Sequence, residues 1–254
     1  MALRGVLNID RRVPSRWRLR SAVRKGKNIQ FLGLPKNMTV QEILADVLPD
    51  ITRLHLTGGT SNEDYSFLEG ASSLSELSLW ETSLGPIDFT KIPLTTLALD
   101  ANKHWVSLKQ SQTLKELMLG YGDLSWVPTQ SPLEELSLHS MGRDRDLSRL
   151  SALPQLKCLE LHGGGELSLA GIAELTVLEE VELTSFASVT GLEELMHLPN
   201  LRKLYLEDIK LVDTTGPLYK LKKRAWVWVV GTKRWHREFR AVTPITTYSA
   251  RRSN

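Results

Sequence analysis

Two histidines and one thiol are the first residues that could carry chemistry. His139 and His162 lie 23 positions apart, and Cys158 and Glu160 precede His162 by four and two positions. Imidazole, thiolate and carboxylate are all zinc ligands. Their spacing matches none of the short paired intervals of known zinc motifs, so no metal is expected, and the four residues read as solvated or partner-contacting groups. Carboxylates form the second set: Glu76, Asp100, Glu116, Glu135, Glu160, Glu180, Glu182 and Glu207 recur along the chain at steps near 20 residues. Acid–base catalysis by such groups needs an enclosed pocket. The sequence has no G-x-S-x-G and no H-E-x-x-H, and the run Gly163–Gly165 lacks the Lys-Ser or Lys-Thr that completes a phosphate-cradling loop. Neither an enzyme nor a cofactor is expected.

The elements that position these side chains are repeats. The pattern L-x-x-L-x-L, with Ile or Val in places, begins at Ile29, Ile51, Leu74, Leu94, Leu114, Leu133, Leu156, Leu178 and Leu201, at steps of 19 to 23 residues. A strand alternates its faces, so the apolar residues three and five places into each pattern (Leu159 and Leu161, for example) point into a core. One unit cannot bury its leucines alone, so neighbours stack and their strands pair in parallel. The returns are short. Leucines at three-residue spacing, as in Leu147, Leu150, Leu153 and Leu192, Leu195, Leu198, point to 3₁₀ or brief α turns. The first return, Thr39–Leu48, is the best helix candidate and opens with a Thr39/Glu42 capping box.

These residues resemble the leucine-rich repeat superfamily, in its subclass with repeats of about 22 residues, over about residues 29–211. The resemblance implies an α/β fold: a right-handed, curved solenoid of about nine to ten repeats, with a parallel concave sheet and short 3₁₀, helical or irregular convex segments. The superfamily usually places Asn three residues after the last strand leucine. Here those places hold Asn37, Gly59, Thr82, Asn102, Gly122, Met141, Gly164, Phe186 and Ile209. Irregular turns are therefore expected on that edge.

Offsets two, four and six from each repeat start line the expected concave face, beginning with Phe31, Gly33 and Pro35. Eight of the 27 positions are acidic and two, Arg53 and Lys203, are basic. Trp80 and Tyr205 project from the same face, with Tyr121 at its margin. The expected contact surface is therefore Glu76, Trp80, Asp100, Glu116, Tyr121, Glu135 and His139, continued by Glu160, His162, Glu180, Glu182, Tyr205 and Glu207. Gathered carboxylates focus a negative potential that attracts and steers a basic protein. The resemblance adds that such solenoids serve as inhibitors, adaptors and immunity-type proteins. An alternative is a regulatory scaffold working through edges and loops such as Gly142–Asp146, and a lesser one is an adaptor that meets an anionic surface through its basic ends.

Charge is partitioned along the chain. Of the net +3, residues 1–27 carry +8 and residues 218–254 carry +9, which leaves −14 for residues 28–217. The domain plan is a basic N-terminal cap (1–28, anchored by Trp17 and Leu19), a solenoid (29–217), a last strand near Trp226–Val230 with a Trp-rich cap (218–243: Trp226, Trp228, Trp235), and a loose tail (244–254). Neither end carries the aromatics and glycines of a nucleic-acid module, so no nucleic acid is expected. There is no transmembrane run and no secretory apolar core. An Arg-rich presequence is disfavoured by Asp10 and Pro14. A single cysteine excludes an internal disulfide, and a monomer in a reducing cytoplasm is expected.

Overall fold

A computed structural model describes residues 5–10, 12–33, 38–57, 64–80, 87–100, 106–121, 124–141, 147–212 and 215–231. In chain order the regular elements are β1 (Val6–Ile9), α1 (Arg16–Arg24), β2 (Asn28–Phe31), α2 (Val40–Leu44), β3 (Arg53–Thr57), β4 (Glu76–Trp80), β5 (Thr96–Leu99) and β6 (Glu116–Leu119). There follow β7 (Glu135–Leu138), β8 (Cys158–His162), β9 (Glu166–Ser168), β10 (Glu180–Thr184), β11 (Ser188–Thr190), β12 (Lys203–Glu207), β13 (Leu211–Val212), α3 (Gly216–Leu221) and β14 (Trp226–Val230). Eleven strands form one parallel sheet in the order β1-β2-β3-β4-β5-β6-β7-β8-β10-β12-β14.

The leucine pattern dictates the sheet. Its inward rows run in register, with Leu97, Leu117, Leu136, Leu159, Val181 and Leu204 side by side, all at most 2% exposed. Behind them the returns are mostly 3₁₀ turns, seven of which contribute a buried residue: Leu68, Phe89, Leu108, Leu124, Leu150, Ile172 and Leu195. Burying each large apolar side chain is worth about 1.5–3 kcal/mol. The first return opens on its capping box, with Thr39 Oγ1 accepting from the Glu42 N–H at 3.1 Å and the Glu42 carboxylate from the Thr39 N–H at 2.8 Å, but its helix ends at Leu44, short of the expected Leu48.

Three features differ from the sequence expectation. The last repeats carry a second parallel sheet in their returns, ordered β13-β11-β9, with Leu167 and Val189 buried. Strands of two or three residues with one inward apolar position leave no periodicity to read. The sheet also begins earlier than residue 29, because β1 pairs with β2. Finally, β2 is slipped against the expected register. Ile29 faces Leu54 across the sheet, so Phe31 is 2% exposed in the core, and Asn28 and Gln30 take the open face. A one-residue shift moves every side chain to the opposite face.

Among the described residues, Trp17, Trp226 and Trp228 do not cover the ends of the solenoid. Leu19 anchors α1, with Ala22 and Val23, but Trp17 is 78% exposed. At the other end β14 forms where expected, yet Trp226 and Trp228 stand beside Lys203 and Tyr205 on the open face, and Val227 turns inward. Among the described residues the return before β14 is held by α3, whose Leu218 and Leu221 are buried, and by Arg224. Its guanidinium donates to the carbonyls of Leu195 (3.1 Å), Met196 (2.9 Å) and Leu198 (2.8 Å), the orphan acceptors of a 3₁₀ end. Trp235 and the tail 244–254 lie outside the described residues.

The edge where strands end is irregular, as the missing asparagines imply. Ser140, Ser185, Asp208 and Gly231 occupy one place in their repeats, and all adopt positive φ (55°, 60°, 52° and 80°). Phe186 and Ile209, in the asparagine places, are 2% exposed and plug the core instead. Asn37, Gly59, Thr82, Asn102 and Gly122 lie outside the described residues. Toward the edge where strands begin, side-chain hydroxyls bind the backbone one repeat back: Ser75 to the Thr52 carbonyl (3.1 Å), Thr95 to Ser75 (3.2 Å), Thr113 to Leu94 (2.6 Å) and Ser131 to Ser111 (2.6 Å).

Candidate functional site

The open face of the sheet presents three rows. The first runs Arg53, Glu76, Thr96, Glu116, Glu135, Cys158, Glu180, Lys203, Trp226. The second runs His55, Ser78, Ala98, Met118, Ser137, Glu160, Glu182, Tyr205, Trp228. The third holds Trp80, Asp100, Gly120, His139, His162, Thr184 and Glu207, with Tyr121 (64% exposed) just beyond Gly120. All of the expected surface residues therefore share this face or, for Tyr121, its margin. The sheet's periodicity places them, since adjacent strands lie about 4.8 Å apart.

Its two cations are spent at opposite ends. Arg53 pairs with Glu76 and Lys203 with Glu180, each at 2.8 Å. Between them two like-charged rungs remain, Glu116 opposite Glu135 and Glu160 opposite Glu182. Glu116 accepts from Thr96 Oγ1 at 3.1 Å, but no described cation bridges any of the four. Like charges directly opposite destabilise a sheet. Burial, then Glu116 and Glu160, raises the Glu135 pKa; burial, then Glu160, raises that of Glu182. Burial and the surrounding carboxylates push the Cys158 thiol up to about 11 and the Tyr205 hydroxyl to about 12. Cys158 is therefore a protonated, unreactive thiol at neutral pH. Small side chains, Ala98 and Ser137, hollow the sheet beside Glu116, Glu135 and Glu160 into a shallow depression of about 220 Å³.

One residue earlier in each strand the pattern is different. Lys115, Glu134, Lys157, Glu179 and Arg202 alternate in sign along the margin, with contacts of 4.0 Å (Lys115–Glu134), 2.5 Å (Glu134–Lys157) and 3.2 Å (Glu179–Arg202). The same strands that neutralise charge along this margin leave it unneutralised on the open face.

The third row is more sculpted than its sequence suggested. A side chain on Gly120 would strike the Asp100 carboxylate and come within 2.7 Å of the Trp80 ring. The absent Cβ at Gly120 is what lets Trp80 and Asp100 lean across this strand, a role that spacing alone did not reveal. His139 and His162 stack with ring centroids 4.3 Å apart and planes at 13°. His139 Nε2 lies 3.0 Å from Ser137 Oγ, and burial followed by His162 lowers the His139 pKa. Stacked faces do not converge lone pairs on one point. Among the described residues no three His, Cys, Asp or Glu side chains gather as metal ligands.

No protein-family model matches the sequence, and no curated protein is detectably similar to it. Solved structures do match. An internalin (inlF) from Listeria monocytogenes aligns over 84% of this chain with a TM-score of 0.56 at 19% identity. A second one, internalin C2 (inlC2) of the same species, aligns over 90% of this chain and 77% of its own with a TM-score of 0.32, also at 19% identity. The inlF match joins the parallel single-layer sheet and the leucine spacing. The chain is a leucine-rich repeat solenoid. It spans 64% of the inlF chain, and at this identity the likeness establishes the fold alone.

Within that solenoid the open face is the concave wall of the coil. Its C-terminal end is aromatic as well as acidic. Trp226 and Trp228 stack at 5.7 Å and 16°, are 69% and 38% exposed, and flank Tyr205, whose hydroxyl donates to Glu207 at 3.1 Å. Sequence reasoning assigned these two tryptophans to a cap. The alternation W-V-W-V-V of β14 carried the signal, since a strand that continues the register must turn alternate residues outward. Among the described residues no helix is long and apolar enough to cross a membrane.

Proposed function

We propose that this solenoid is a protein-binding module that captures a basic protein partner on its acidic concave wall. The observation that carries the reading is the pair of unneutralised rungs, Glu116–Glu135 and Glu160–Glu182, beside a margin whose charges alternate. Clustering carboxylates costs stability, and a cationic partner relieves that cost on binding. Trp80, Tyr205, Trp226 and Trp228 on the same wall supply the rigid aromatic area of which interface hot spots are made. The repeat architecture supports an interaction role, and the depression formed by described residues of the wall is shallow.

A finer form of the proposal is an inhibitor or immunity-type protein. Its acidic wall would mimic a nucleic-acid backbone toward a basic enzyme such as a nuclease, acting as a cytoplasmic monomer. The scaffold alternative rests on Gly142–Asp146, which lie outside the described residues. The test is affinity capture from the native cell with the wild type and with Glu116, Glu135, Glu160 and Glu182 all changed to Lys. The expected result is a retained basic protein that the quadruple variant loses entirely. Undiminished capture of the same protein by a folded quadruple variant would sink the reading. Light scattering checks the monomer.

A further inference from the structure

We infer that the N-terminal cap is a second docking surface, one that seats on an anionic phospholipid bilayer. It lies at the opposite end of the sheet from β14 and is independent of the concave wall. The carrying observation is Trp17. Helix α1 buries Leu19, Ala22 and Val23 against the solenoid and turns Trp17 outward, 78% exposed. Two hollows flank the indole. One, about 220 Å³, is walled by Val6, Arg18, Ser21, Lys25 and Lys27; the other, about 430 Å³, by Arg20, Ser21, Arg24 and Lys25.

The charge balance there is one-sided. Asp46 takes Arg16 at 3.3 Å and Arg20 at 3.6 Å. Arg18, Arg24, Lys25 and Lys27 have no carboxylate partner among the described residues. An exposed indole ringed by cations matches a bilayer's interfacial zone, where the ring sits at headgroup depth and the cations meet lipid phosphates. Val6, 47% exposed, adds apolar area beside the ring. A single-stranded nucleic acid asks instead for successive aromatic platforms along a groove, and α1 offers one ring. Each Lys or Arg near an anionic membrane strengthens partitioning by about fivefold.

The test uses the full chain and vesicles of phosphatidylcholine, alone or with about 30% phosphatidylserine. The wild type should co-sediment with the anionic vesicles only, and about 0.5 M salt should release it. Arg18→Glu/Arg24→Glu/Lys25→Glu, which leaves the buried face of α1 intact, should weaken partitioning by on the order of 100-fold or more. Lipids brominated near the headgroup should quench wild-type tryptophan fluorescence, and Trp17→Phe, an innocuous change at an exposed site, should remove that quenching. The inference is overturned by a wild type that ignores anionic vesicles or binds a labelled single-stranded oligonucleotide in preference to them. It is equally overturned by a folded triple variant that binds undiminished, which would move the contact to the basic C-terminal segment, or by quenching that persists in Trp17→Phe.

Discussion

At the scale of single residues, what sets the concave wall apart is where its carboxylates lack cations. Glu135 and Glu182 have folded-state pKa values above that of a free glutamate. Their folded forms hold the proton more tightly. The stability they contribute is therefore present below the unfolded value near 4.5 and lost as pH rises through the raised folded value. Urea unfolding should show a protein that gains stability from this source as pH falls from neutrality through the raised folded values toward 4.5. Glu135→Gln/Glu182→Gln should flatten that gain and be more stable at pH 7 by roughly 0.2–1 kcal/mol per rung; an unchanged pH slope would remove the rungs as its cause. The third row gives a sharper test. Gly120→Val should push Trp80 off its seat, costing about 1–3 kcal/mol and shifting the tryptophan emission, whereas Gly164→Ala, which meets nothing within 4 Å, should leave the emission unmoved.

At the scale of elements, most strands of the long sheet were legible and the returns were not. Inward leucines fix strand position because a slip would exchange core for solvent. That argument worked for the long-sheet strands from β3 to β14, where every repeat has two inward apolar residues, and gave nothing for the short β9, β11 and β13. It failed at β2, where Ile29-Gln30-Phe31-Leu32 offers apolar residues on both faces and two registers look alike; pairing with β1 and β3 chose between them. It missed Trp226 and Trp228 because tryptophan reads as cover when the cap is imagined before the register. The turns resist reading for a different reason: Ser140, Ser185 and Asp208 hold a left-handed conformation that their side chains do not favour, so neighbouring repeats impose it. Such residues cost about 1–2 kcal/mol relative to a relaxed backbone. Ser185→Gly should recover part of this, a net gain of about 0.5 kcal/mol after glycine's larger unfolded-state entropy is subtracted, measured by chemical denaturation. A loss would mean that the hydroxyl itself holds the turn.

At the scale of the whole molecule, the charge partition organises everything else. In sequence an acidic middle, at −14, lies between basic ends at +8 and +9. Stability should be distributed in the nearest-neighbour fashion of repeat arrays, so hydrogen exchange should be slowest in β6 to β10 and fastest in β1 and β14. Those two strands are also the sheet's borders: among the described residues β1 pairs only with β2, and β14 only with β12. A parallel sheet whose border strands stay unpaired on their outer sides would be a template for head-to-tail growth, since the donors and acceptors of one border are complementary to those of the other. The flanking segments, at +8 and +9, give both borders the same sign. Two copies meeting end to end would bring segments of like charge together, and that repulsion disfavours extension of one copy's ladder by the next. Salt should weaken that repulsion, because the Debye length falls to about 3 Å near 1 M.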